Sequence, residues 1–137
     1  KIAFSLSDLF CVARHKSDFI DLIKNDLDIL FANENEIKEL LEIEEVQENK
    51  LKNFFSYNQK LITIVTRSEK GCIVFSQDQN FSLDAEKIEK LIDSTGAGDC
   101  FAAGFLSAIN NGYDLKKSAK EGNILAAKII QKFGARI

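Results

Sequence analysis

The sequence predicts an α/β protein on a mostly parallel central sheet, and three observations carry that prediction. Short apolar runs alternate with longer stretches whose apolar residues recur at helical spacing, the pattern of strand–helix units. Leu61–Thr66 (Leu-Ile-Thr-Ile-Val-Thr) is apolar and β-branched almost without interruption, as suits a central strand covered on both faces. A glycine-rich turn, Asp93-Ser-Thr-Gly-Ala-Gly-Asp99, runs straight into the apolar helical stretch from Cys100 to Ile109.

Taken in order, Ile2–Leu6 reads as a short strand and the stretch from Leu6 to His15 as a loop. Ser17–Lys24 carries Phe19, Ile20, Leu22 and Ile23 and predicts a short helix. Asp28–Ala32 is a second strand. Between Glu36 and Phe55 the residues Ile37, Leu40 and Leu41, then Leu51, Phe54 and Phe55, predict two helices with a break near Ile43. Leu61–Thr66 follows, and Gly71 separates it from Cys72–Ser76 in a hairpin. Phe81–Leu83 adds a short strand. Two helices close the chain, Ala97–Ile109 and Leu115–Phe133, the second with Leu125, Ile129 and Phe133 on one stripe. No linker, repeat or low-complexity stretch intervenes, so the expectation is one α/β unit without an internal boundary.

With 137 residues, 45% of them hydrophobic, the chain is large enough for a core. A net charge of −3 and the lack of any basic block argue against a nucleic-acid partner. No apolar run reaches membrane-spanning length and no signal peptide is visible. Cys11, Cys72 and Cys100 are odd in number and widely spaced, which argues against a disulfide framework or a zinc site and fits a reducing cytoplasm. The chain begins at Lys1, holds no methionine and opens on a strand, so a fragment of a longer protein is expected.

The chemistry concentrates at residues 93–99. Gly96 and Gly98, flanking Ala97, let the backbone turn tightly and aim N–H groups outward. The following helix adds unpaired N–H donors and the positive end of its dipole, so the turn suits a phosphate. Asp99 places a carboxylate at the edge of that anion site, where it would repel a merely bound phosphate. It would serve to take a proton from a hydroxyl attacking phosphorus. The plainer reading is a helix-start turn with Asp99 favoured by the dipole. The segment is neither a P-loop, lacking Gly-Lys-Ser/Thr, nor a dinucleotide fingerprint, since Phe101 stands where the third glycine would be.

In open α/β sheets ligands gather beyond the carboxyl ends of the strands. The Asn33–Glu36 cluster, the Thr66–Gly71 cluster and the glycine turn are all expected on that edge. Asn33 and Glu36, three apart at a helix start, offer hard oxygen ligands for Mg²⁺ held through water. They equally form a capping box, and both readings stand together. Thr66 and Arg67 can bind phosphate oxygens or sit in an ordinary hairpin loop. Asn123 opens a small-residue segment in which Ala126 and Ala127 permit close helix packing or the approach of a flat ring. Cys100 reads as a small residue packed under the helix start. His15, the one histidine, reads as a surface group of the loop.

The string Asp93–Asp99, with Asn33-x-x-Glu36 after a strand, resembles the signatures of the PfkB, or ribokinase-like, carbohydrate and nucleoside kinases. The likeness runs over nearly the whole chain in the family's motif order. It implies a three-layer α/β/α ribokinase-like fold, with residues 1–137 as the C-terminal nucleotide-binding and catalytic portion of the kinase domain. It implies transfer of the γ-phosphate of ATP to a hydroxyl, with Asp99 as general base and Gly96, Ala97 and Gly98 as the anion hole. Asn33 and Glu36 would organise Mg²⁺ through water, and Thr66, Arg67, Gly71 and Asn123 would line the nucleotide. Asp93 and Thr95 match positions beside a monovalent cation such as K⁺. Ser68 stands where the family's Thr-x-Gly-x-x-Gly has its middle glycine. Leu6–His15 and Thr66-Arg67 resemble the adenosine-kinase-like branch, where Phe10 matches a residue near the nucleoside. The implied acceptor is adenosine. Alternatives are a free sugar, as for ribokinase or fructokinase, or a nucleotide-binding module without activity as an isolated fragment. A homodimer of the full-length protein is a further implication.

Overall fold

A computed structural model describes residues 1–136. Strands β1 (Ala3–Ser5), β2 (Ile29–Asn33), β3 (Ile62–Thr66), β4 (Cys72–Phe75) and β5 (Asn80–Leu83) form one sheet in the order β1-β2-β3-β4-β5. The first three are parallel, with Leu30 opposite Thr63 and Asn33 opposite Thr66. Parallel neighbours need long crossovers, and α1 (Leu9–Asn25) supplies the first while α2 (Glu34–Leu41) and α3 (Glu48–Phe55) supply the second. The short connections on either side of β4 instead make hairpins. The sheet is therefore mixed, and β3, the apolar run, is its central strand, as expected.

The chain divides into two compact units, Lys1–Arg67 with Ile73–Phe81, and Ser68–Cys72 with the chain from Ser82 onward. The expectation of no internal boundary is corrected here. The chain crosses between units within the β3–β5 hairpins, where strand and turn residues leave no linker composition to read.

The core of the first unit follows strand alternation. Leu30 and Ala32 of β2, Leu61 and Val65 of the β3 run, and Ile73 and Phe75 of β4 gather with Val12, Ile23, Ile37, Leu40, Leu51 and Phe55 from the helices. α1 begins well before the expected Ser17. Asp8 caps it, its Oδ1 accepting from Cys11 N–H at 2.9 Å. Phe10 and His15 are thus helical rather than in a loop, and the helix is kinked at His15 (φ −120°, ψ 27°). Val12 and Ile23 are the buried residues of the helix, so its first half shows no apolar stripe to betray it.

In the second unit α4 (Ala97–Asn110) and α5 (Leu115–Ile129) pack closely at two glycines. A Cβ on Gly104 would lie 2.7 Å from Glu121 O, and one on Gly122 would lie 2.9 Å from Phe101 O. The close approach is made there rather than at Ala126 and Ala127, which are half-buried. α5 also stops short of Phe133. Ile130 caps it, and Phe133 leaves the expected stripe to stand 87% exposed.

Between β3 and β4, Ser68 adopts φ +51°, the left-handed conformation for which glycine is suited. Left-handed backbone costs a residue with a Cβ about 1–2 kcal/mol, part of which a glycine would give back through its freer unfolded chain. Ser68→Gly is expected to stabilise the protein by about 0.5–1 kcal/mol, because the Ser68 side chain is exposed. A urea midpoint moving upward with an unchanged slope is the expected result; a downward shift would show that the hydroxyl holds the turn.

Candidate functional site

On the first unit the polar cluster lies at the carboxyl ends of β2 and β3, where the register sets Asn33 beside Thr66. Asn33 caps α2 and completes the capping box. Its Oδ1 accepts from Glu36 N–H at 2.9 Å, and its backbone N–H donates to Glu36 Oε2 at 2.8 Å. A third bond runs from Asn33 Nδ2 to Glu36 Oε1 at 2.8 Å. Both carboxylate oxygens of Glu36 are thereby engaged, and the side chain is buried at 5% exposure. Burial pushes its carboxyl pKa up and the charge of Asp8 adds to that, while the Asn33 N–H bond opposes it. A cation nearby would relieve the buried charge. With both oxygens already accepting, the pair fits Mg²⁺ held through water rather than bound directly. Thr66 donates its hydroxyl weakly to Ala32 O at 3.4 Å, and Arg67 follows it, half-buried.

On the second unit Gly96 takes φ +77° and caps the fourteen-residue α4. Ala97 N–H closes the turn onto Ser94 O at 3.1 Å, and Cys100 N–H makes the first helical bond, to Gly96 O at 2.9 Å. The amides of Gly98 and Asp99 therefore sit in the first turn, ahead of any intrahelical partner. A Cβ on Gly98 would meet nothing within 4 Å, so the space above the turn is open. Asp99 is exposed on that same turn. The result is an open helix-start turn with one exposed carboxylate at its rim.

Two hydrogen bonds and one close contact hold this turn. Asp93 Oδ1 accepts from Thr95 N–H at 2.8 Å and Oδ2 from Gly134 N–H at 3.0 Å. The Thr95 hydroxyl bond, then these two backbone bonds, hold the Asp93 carboxyl below its ordinary pKa. Gly96 lies against Ala135, where a Cβ would come within 2.9 Å of the alanine's own. Cys100 is half-buried, and burial, then the charge of Asp99, push its thiol pKa up.

Gly71 and Asn123 act together on the backbone at 83–85. Gly71 is buried at φ +78°, and a Cβ there would stand 1.9 Å from Leu83 O and 2.6 Å from Ala85 N. Asn123, 7% exposed, donates from Nδ2 to Asp84 O at 3.0 Å. Phe10 is 84% exposed on the first turn of α1. His15, near Asp18 at 3.7 Å, is a surface residue. Sequence reasoning missed the fastening of the turn by Gly134 and Ala135. The Gly134-Ala135 pair was its only visible trace. Among the described residues no group of three or more His, Cys, Asp or Glu could hold a metal, and no helix is long and apolar enough to cross a membrane.

Comparison with known proteins gives a consistent picture. A family model described as pfkB family carbohydrate kinase matches residues 7–137. A probable sugar kinase from Rhizobium etli superposes with a TM-score of 0.92 at 34% identity, over 99% of this chain and 41% of that one. Adenosine kinase from Sinorhizobium meliloti gives 0.91 at 36% identity, over 98% and 41%. A cytidine kinase from Thermococcus kodakarensis is 30% identical over 120 residues, 87% of this chain and 42% of the relative. The chain thus spans about two fifths of the length of each of these relatives.

Proposed function

The chain belongs to the pfkB family of carbohydrate kinases, and from that premise we propose that it is the nucleotide-binding and catalytic portion of an ATP-dependent phosphotransferase. The observation that carries this reading is the open cradle at the start of α4 with Asp99 exposed on its rim. Asp99 takes the proton from the acceptor hydroxyl as it attacks the γ-phosphorus. Gly96, Ala97 and Gly98, with the Asp99 amide, stabilise the charge developing on the transferred group. Asn33 and Glu36 would hold Mg²⁺ through water, where the ion supplies charge neutralisation between phosphates. Thr66 and Arg67 contact phosphate oxygens, and Gly71 and Asn123 act by fixing the 83–85 backbone.

The acceptor reading is a nucleoside, with adenosine first. Its support is the likeness to adenosine kinase at 36% identity, the Thr66-Arg67 pair and the exposed ring of Phe10. A free sugar is the second reading, favoured by the equal likeness to a probable sugar kinase. The test is ATP consumption by a protein carrying this sequence at the length of its relatives, offered nucleosides and free sugars side by side. Adenosine turning over with the highest kcat/KM supports the first reading; ribose or fructose ahead of every nucleoside would overturn it in favour of the second.

A further inference from the structure

We propose that Asp93 is a positioning residue whose carboxylate fastens the phosphate-facing turn directly to the 130–135 segment, so that the turn keeps its shape without a monovalent cation. Oδ1 receives the Thr95 N–H and Oδ2 the Gly134 N–H. The Asp93 and Ile92 amides in turn donate to Ile130 O, at 3.2 and 2.8 Å. A resident cation needs a shell of oxygens with free lone pairs. Each oxygen of the carboxylate here already accepts one backbone N–H, which leaves fewer of its lone pairs for a cation. The fastening made at Asp93 runs directly between protein groups and calls on no K⁺.

The fastening matters because the middle of this stretch lies at the surface. Ser94 and Thr95 are exposed, so the order of the turn depends on these hydrogen bonds and on Gly96 lying against Ala135. The Gly98 amide and the Asp99 carboxylate follow Gly96 within three residues. A displacement of the turn would carry both with it, and an ångström at a reacting centre can cost about a hundredfold in rate. The bearing on phosphotransfer rests on the function proposed above; the fastening itself does not.

The test is amide-resolved hydrogen exchange on the 137-residue chain, in KCl and in tetramethylammonium chloride, for the wild type, Asp93→Asn and Thr95→Val. Wild-type protection at Thr95 and Gly134 is expected to be the same in both salts. Asparagine offers one acceptor and turns its NH₂ toward the second donor, so exchange at Gly134 or Thr95 is expected to rise by about tenfold or more. The amide of Phe105, near the middle of α4, is expected to stay protected and reports that the unit is folded. Should Asp93→Asn unfold the unit, Thr95→Val removes only the hydroxyl bond and is expected to raise Thr95 exchange about severalfold. Protection that requires K⁺, or variants that exchange like the wild type, would overturn the proposal. In the longer protein Asp93→Asn is expected to lower kcat by about ten- to a hundredfold, unrescued by K⁺. Loss of protection without any measurable phosphotransfer by the wild type would leave the fastening intact and count against the function instead.

Discussion

Replacing Asp99 by asparagine is expected to lower kcat by roughly 10²–10⁴-fold in a chain of the relatives' full length, the usual scale of general-base catalysis. Asparagine is nearly the same shape and cannot accept the proton. Asp99 is exposed on the first turn of α4, so the change removes no packing and the fold should be untouched. ATP affinity is expected to hold or improve, because a carboxylate beside a phosphate cradle repels the ligand it helps to react. Steady-state kinetics with the ATP concentration varied separates the two effects. A variant that keeps most of its kcat would take Asp99 out of the proposed role and leave it a first-turn carboxylate favoured by the helix dipole.

Gly71→Ala is the second large effect, and it acts through the fold. The added Cβ would overlap Leu83 O at 1.9 Å and crowd the backbone on through Ala85. These are backbone atoms, which cannot swing aside as a side chain does. The φ of +78° adds left-handed strain. Together the clash and the strain are expected to destabilise the protein by about 3 kcal/mol or more, at the upper end of single substitutions. Because Asn123 holds the same segment through Asp84 O, Asn123→Ala should loosen it in the same direction by about 1–2 kcal/mol. Urea unfolding of both variants checks the pair. An alanine tolerated at 71 without loss of stability would mean that the 83–85 backbone yields, and that Gly71 is present for a ligand alone.

How much of this was legible in the sequence depended on whether the signal was local. β3 was readable because a strand buried on both faces is apolar throughout. The Asn33–Glu36 box was readable because a capping box occupies four consecutive residues. The glycine turn was readable because two glycines and an aspartate next to an apolar run constrain the backbone by themselves. The start of α1 was not, since Phe10 and Cys11 are exposed and the kink at His15 breaks the helical phase. The contacts that give individual residues their work were not legible either. Gly104 facing Gly122, Gly71 under Leu83, and Asp93 reaching Gly134 each join positions far apart in the chain, and one sequence carries no record of which distant residues meet. Gly71 and Asn123 illustrate the consequence. Both were expected at a ligand, and the hydrogen bond and close contact each makes run to the same stretch of backbone.

The central claim is that the phosphate end of the nucleotide is gripped by the turn before α4. Titrating the 137-residue chain with ADP while following amide resonances tests it most directly. The account predicts weak, saturable binding with the largest shifts at Gly96, Ala97, Gly98 and Asp99, and little change at the far end of α4 near Asn110. A chain shown to be folded by its dispersed spectrum, yet with those four amides unmoved at millimolar ADP, would contradict it.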